Sequence, residues 1–164
     1  VGSGAAVGTA ATIRVVSGAN GQTIRSFNPF GSQFTGGAQV ALGDFNSDGY
    51  QDIVAGAGPG AAAQVNIFSG KDGKLIKSFV AINNSLLTGV NVATGDFNGD
   101  GQTDIVVGAR AGAKPWVSVY DGKSFGTITT FFAFDQGLFF QIWNILGHNF
   151  CREQCQRNPS PGMY

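Results

Sequence analysis

The feature that most constrains this chain is an internal repeat with a period of 52 positions. The run IRVVSGANGQTIRSF at 13–27 maps at that offset onto VNIFSGKDGKLIKSF at 65–79, and both map onto VSVYDGKSFGTITTF at 117–131. VGSGAAVGTAA (1–11) falls on IVAGAGPGAAA (53–63) without a gap. GDFNSDGYQD (43–52) returns as GDFNGDGQTD (95–104). Three copies in one register imply an array of like units, each burying apolar surface against its neighbours.

Each copy holds four short apolar runs. In the best-formed copy they lie near Val40–Gly43, Ile53–Ala57, Val65–Ser69 and Leu75–Val80. Val65-Asn66-Ile67 and Ile13-Arg14-Val15 alternate with the period of a half-buried strand. Asn20-Gly21 and Asp72-Gly73 supply the positive φ angles of a tight two-residue hairpin. The third copy has Phe125-Gly126 there, so a different turn is expected. Four antiparallel strands per repeat predict an all-β fold, a partial β-propeller of four-stranded blades. The blades are expected at about 1–30 (partial), 38–82 and 90–134, followed by a divergent, irregular tail at 135–164. Closed propellers need at least about four blades. The chain is therefore expected to be part of a longer protein or to complete a ring with partners.

Composition narrows the function. Hydrophobic residues are 43% and charged residues 12%, a packed composition rather than a disordered one. The formal net charge is zero, which gives no general attraction to nucleic acid. No apolar run is long enough for a spanning helix, so no membrane insertion is expected. The chain begins at Val1 and its only methionine is Met163, so it reads as a processed chain or a fragment. Cys151 and Cys155 do not settle the redox compartment.

Of ten acidic residues, six stand in the two recurring loops. Carboxylates this close raise one another's pKa and destabilise a loop unless a cation neutralises them. The spacing D-x-N-x-D-G-x-x-D presents oxygens from alternate positions, which suits the six to eight oxygen ligands of calcium. The first candidate set is Asp44, Asn46, Asp48, the carbonyl of Tyr50, and Asp52. The second is Asp96, Asn98, Asp100, the carbonyl of Gln102, and Asp104. Two calcium sites are thus expected. An EF-hand starts similarly but needs a glutamate at loop position twelve and flanking helices. Ala55 and Val107 occupy that position, and the flanks VALGD and DIVAGAG read as strands. Magnesium fits less well, because it demands a near-ideal octahedron. A metal-free Asx-rich turn is the bland alternative.

The run GGAQVALGDFNSDGYQDIVAGAGPG (36–60) resembles the FG-GAP repeat of integrin α-subunit propellers and the related VCBS-type repeats of bacterial surface proteins. Leu42-Gly43 stands near the family's Phe-Gly, and Gly56-Ala57-Gly58-Pro59 near its Gly-Ala-Pro; VVGARAGAKP (106–115) is a looser match. The resemblance covers about 1–134. It implies a β-propeller with calcium in the loop joining the first two strands of a blade. It also implies an extracellular setting and an adhesion or recognition role toward a protein or glycan ligand, with no catalysis.

An enzyme reading has little to use. His148 is the only histidine, and outside the loops the acids are Asp72, Asp121, Asp135 and Glu153. Asp72 sits in a turn signal and Asp121 aligns with Ser17 and Ser69, so both read as structural. GAGPG (56–60) lacks the Lys-Ser/Thr of a phosphate loop and reads as a tight connection where blades approach. The alternative function is an accessory part of a secreted carbohydrate-active enzyme or lectin. Trp116 is the one aromatic in the repeats weighed for sugar stacking, and it also suits inter-blade packing. Three readings of the tail stay open. It is a terminal cap, with LFFQIWNIL (138–146) as a strand or apolar helix; or it is translated out of the frame that encodes the repeats; or His148, Cys151 and Cys155 share a helix face as metal ligands.

Overall fold

The computed structural model describes residues 9–81 and 87–133, and these fold as β-strands with no helix among them. The strands are β1 (Ile13–Val16), β2 (Thr23–Phe27), β3 (Ala38–Gly43), β4 (Asp52–Ala57) and β5 (Gln64–Phe68). They continue with β6 (Leu75–Val80), β7 (Val90–Gly95), β8 (Asp104–Ala109), β9 (Trp116–Tyr120) and β10 (Thr127–Phe132). β3–β6 form one four-stranded meander and β7–β10 another, while β1 and β2 pair alone. Each neighbouring pair with a defined register is antiparallel. The two meanders are blades of a partial propeller, and β1–β2 match the outer half of a third. The set does not close into a ring.

Register repeats with the sequence. Gly43 faces Asp52 and Leu42 faces Ile53; 52 residues on, Gly95 faces Asp104 and Thr94 faces Ile105. β4, DIVAGA, is buried at every position. Its continuous small and apolar run suits a strand covered on both faces. One face meets β1–β2 through Ile13, Ala38, Ile53 and Ala55, with Val15, Phe27, Val40 and Phe68 around them. The other face meets the second blade. Val54, Val65, Ile67 and Ala81 of the first blade cluster with Val90, Ile105, Val107 and Tyr120 of the second. Apolar surface removed from water stabilises by about 25 cal/mol per Å², so burial of this cluster favours stacking of one blade on the next. Tyr120 adds a tilted ring contact to Phe79, centroids 5.0 Å apart, and its hydroxyl donates to the Ala81 carbonyl.

The glycine run joins blades as expected. Gly58 N–H donates to the Gly37 carbonyl at 3.0 Å, and Gly60 N–H to the Leu87 carbonyl at 2.8 Å. A Cβ on Gly58 would lie 1.9 Å from the Gly36 oxygen, so no side chain fits.

The outer hairpins correct the expectation of two-residue turns. Ser17 N–H bonds Gln22 O, Ser69 N–H bonds Lys74 O, and Asp121 N–H bonds Gly126 O, so four residues lie between each closing pair. A second bond in each runs from residue 21, 73 or 125 back to the first carbonyl. The third turn does not differ either. Phe125 takes φ 57° where Gly21 and Gly73 take 71° and 76°. The ring explains the tolerance: Phe125 packs against the inter-blade cluster and beneath Lys77, whose Nζ is 5.4 Å from the ring centroid.

A compact unit ends at Phe131 and a second begins at Phe132, with everything from 134 outside the described residues. The three readings of the tail, including the His148, Cys151 and Cys155 set, therefore lie outside them too.

Candidate functional site: the acidic loops

The acidic loops join β3 to β4 and β7 to β8, the first two strands of each blade. Strands on both sides exclude the EF-hand here. Each loop folds as nested Asx turns, because Asp and Asn side chains accept from N–H groups a few residues on. In the first, Asp44 accepts from Asp48 N–H at 3.3 Å and Gly49 N–H at 3.0 Å. Asn46 Oδ1 accepts from Asp48 N–H at 3.0 Å, and Asp48 Oδ1 from Tyr50 N–H at 2.9 Å. The second loop repeats this with one change: Asp96 accepts from Gly99 N–H where Asp44 accepts from Asp48, and then from Gly101, while Asn98 accepts from Asp100 and Asp100 from Gln102. Asn46 also donates to Asp48 Oδ2 at 3.2 Å, as Asn98 does to Asp100 Oδ2 at 3.2 Å. Ser47 carries φ 56° where the second loop has Gly99 at 78°.

The last acid of each set is placed differently. Asp52 and Asp104 are 0% exposed. Asp52 accepts from Phe45 N–H at 2.9 Å and from Gly70 N–H at 3.0 Å. Asp104 does the same with Phe97 and Gly122, both at 3.0 Å. One carboxylate thus ties the acidic loop to the outer hairpin of its own blade. The tie needs glycine at the hairpin. A Cβ on Gly70 would stand 1.9 Å from the Gln51 oxygen, and one on Gly122 1.7 Å from the Thr103 oxygen. Sequence reading missed Gly70 and Gly122. Their one trace is that Gly follows the Ser17, Ser69 or Asp121 position in every copy.

Among the described residues no Lys, Arg or His forms an ion pair with either buried carboxylate; Lys74–Asp72 is a pair at the surface. A carboxylate held out of water without a cation is costly, and two neutral N–H donors offset only part of that cost. Each carboxylate offers about four lone-pair directions, so two bonds leave acceptor capacity. The rest of each donor set is oxygen as well: carboxylates, an amide carbonyl and a backbone carbonyl. That chemistry fits a hard cation. Among the described residues no three His, Cys, Asp or Glu side chains converge closely enough to hold an ion as they stand. The loop oxygens are turned to their own N–H groups.

The structure brings one further acid to the second loop. Asp121 Oδ2 accepts from Asn98 Nδ2 at 3.2 Å, across 23 positions. Its other oxygen accepts from the Ser124 hydroxyl at 2.5 Å and from Ser124 N–H at 2.6 Å. These bonds hold the Asp121 carboxyl below the usual carboxylate range. Asp72 behaves as read from its turn: it accepts from Lys74 N–H at 3.0 Å, and the Lys74 ammonium draws its pKa down to about 2.

The two loops also touch. Ser47 Oγ donates to Gln102 Oε1 at 3.4 Å, and Thr94 Oγ1 donates to the Leu42 carbonyl at 2.5 Å. Phe45 is half-buried and sits 3.3 Å from the Cβ position of Gly122. Trp116 is half-buried, packs against the inter-blade cluster and donates to Ser118 Oγ at 2.8 Å, the inter-blade packing role its position suits.

Residues 44–107 match the FG-GAP-like repeat and residues 88–130 the FG-GAP repeat. The chain is 41% identical to integrin alpha-V of Gallus gallus over 76 residues, and 37% identical to integrin alpha-8 of Mus musculus over 75. Integrin alpha-8 of Homo sapiens is 36% identical over 75 residues. Each alignment covers 44% of this chain and 7% of the relative, so the chain matches only a small part of those proteins. With its 52-residue period, its paired acidic loops and its antiparallel four-stranded blades, the chain belongs to the FG-GAP repeat family.

Proposed function

We propose that this chain is a calcium-stabilised segment of a β-propeller in an extracellular or cell-surface protein, serving as a scaffold for adhesion or recognition rather than as a catalyst. The observation that carries this reading is the pair of fully buried carboxylates, Asp52 and Asp104, with no ion-pair partner among the described residues, at the base of two loops rich in oxygen donors. Asp44, Asn46, Asp48, the Tyr50 carbonyl and Asp52 would hold one ion. Asp96, Asn98, Asp100, the Gln102 carbonyl and Asp104 would hold the other. A bound cation neutralises the loop and joins its two strands. The similarity to integrin alpha chains supports the surface setting and the recognition role. No helix among the described residues is long and apolar enough to cross a membrane.

Binding to the folded state alone adds stability by mass action, on the order of 3 kcal/mol when calcium is a hundredfold above its dissociation constant. Thermal melts in millimolar calcium and in excess EGTA test the reading. The expected result is a lower melting temperature in EGTA, with the response reduced in Asp44→Ala and in Asp96→Ala. An identical melt in both buffers would overturn it.

A further inference from the structure

The two acidic loops are 52-residue images of each other, yet their surroundings differ in charge. Beside the second loop stands Asp121, bonded to Asn98. The equivalent residue beside the first is Ser69, whose hydroxyl accepts from Asp72 N–H within its own turn. Among the described residues, the side-chain partner of Asn46 is Asp48. Around the second loop stand four carboxylates, Asp96, Asp100, Asp104 and Asp121; around the first stand three, Asp44, Asp48 and Asp52. Lys71 and Lys123 stand at equivalent places in the two hairpins, and Asp72 of the first is paired with Lys74, so the carboxylate of Asp121 is what distinguishes the loops.

We propose that Asp121 is a specificity-determining residue of the second loop, which makes that loop the tighter of two unequal cation sites. The inference rests on the calcium reading above. Divalent-ion affinity in oxygen sites rises with ligand charge and with rigidity of the donors. Asp121 supplies both. It adds a carboxylate at the loop's edge, and it anchors the amide of Asn98 to the outer hairpin. That hairpin is already tied to the loop by the bond from Gly122 N–H to Asp104. The second ion is then the last to leave as calcium falls, and the first blade loses its ion earlier.

Calorimetric titration with calcium chloride tests this, with each loop isolated. Asp44→Ala leaves the second loop to titrate, and Asp96→Ala leaves the first. The second loop is expected to bind about tenfold more tightly. Adding Asp121→Asn removes most of that advantage. The substituted amide still accepts from Ser124, so the melting temperature in EGTA stays close to that of its parent; a purely structural role would lower it. Adding Ser69→Asp tightens the first loop, and this second variant does not depend on the folding of the Asp121 variant. Equal affinities of the two loops, or a second-loop affinity indifferent to Asp121→Asn, overturn the inference while leaving the calcium reading intact. No calcium heat from the unsubstituted chain, together with an unchanged EGTA melt, sinks both.

Discussion

Phe45 and Phe97 hold the same place in the two acidic loops, yet their fates differ. Phe45 is half-buried between the blades, near Thr103 and Gly122 of the next blade, whereas Phe97 is 53% exposed. The blade interiors show no such contrast. Asp52 and Asp104 make the same two bonds, and Gly70 and Gly122 meet the same obstruction. Residues that serve a blade's own closure keep their roles from copy to copy. Residues that serve stacking take theirs from whatever stands alongside.

Four measurements break or sharpen that contrast. The largest effect is expected from Gly70→Ala and Gly122→Ala. Each forces a Cβ into a backbone oxygen, so loss of several kcal/mol or failure to fold is expected, and equally for both. Denaturant melts check it, and tolerance of either one would refute the close approach. Next come Asp52→Ala and Asp104→Ala, which strand two N–H groups each and remove about 2–4 kcal/mol in calcium-free buffer. Near-equal losses support closure within the blade. A large imbalance would mean that one of them serves the neighbour instead.

Phe45→Ala and Phe97→Ala should separate. About 2 kcal/mol is expected for the half-buried ring and well under 1 kcal/mol for the exposed one. Equal losses would erase the distinction drawn here. The smallest effect concerns the outer turns in acid. Asp72 has its pKa lowered from 3.8 to about 2, chiefly by Lys74. A depressed carboxylate stabilises the fold above its unfolded value and loses that contribution as pH falls through its folded one. Asp72→Asn should therefore flatten stability between about pH 4 and pH 2. Molar salt should mimic it, since the Asp72–Lys74 pair is exposed.

Much of this was legible in the chain itself. The apolar run Leu75–Val80 has the bounds of β6, and Ile53–Ala57 falls one residue short of β4. Alternation and recurrence carry that signal, since each is a property of a single segment. The strand–loop–strand setting of Asp44 and Asp96 was legible for the same reason. Three things were not. Phe125 adopts a glycine-like φ because a neighbouring strand and Lys77 hold its ring, which no local rule encodes. The burial of Asp52 depends on Gly70, eighteen positions away, approaching Gln51. Asp121 reads as a turn residue in sequence, and only the folded hairpin shows its second oxygen turned to Asn98.

The tie between Asp52 and Gly70 bears on how the molecule is assembled in time. Its two ends are separated by 18 positions, and the tie in the following copy has the same span. Closing a loop that short costs little chain entropy, and contacts close in sequence are made early. The rim of each four-stranded unit is therefore set by short-range closure, whereas its apolar faces are covered only when the neighbouring unit is seated against it.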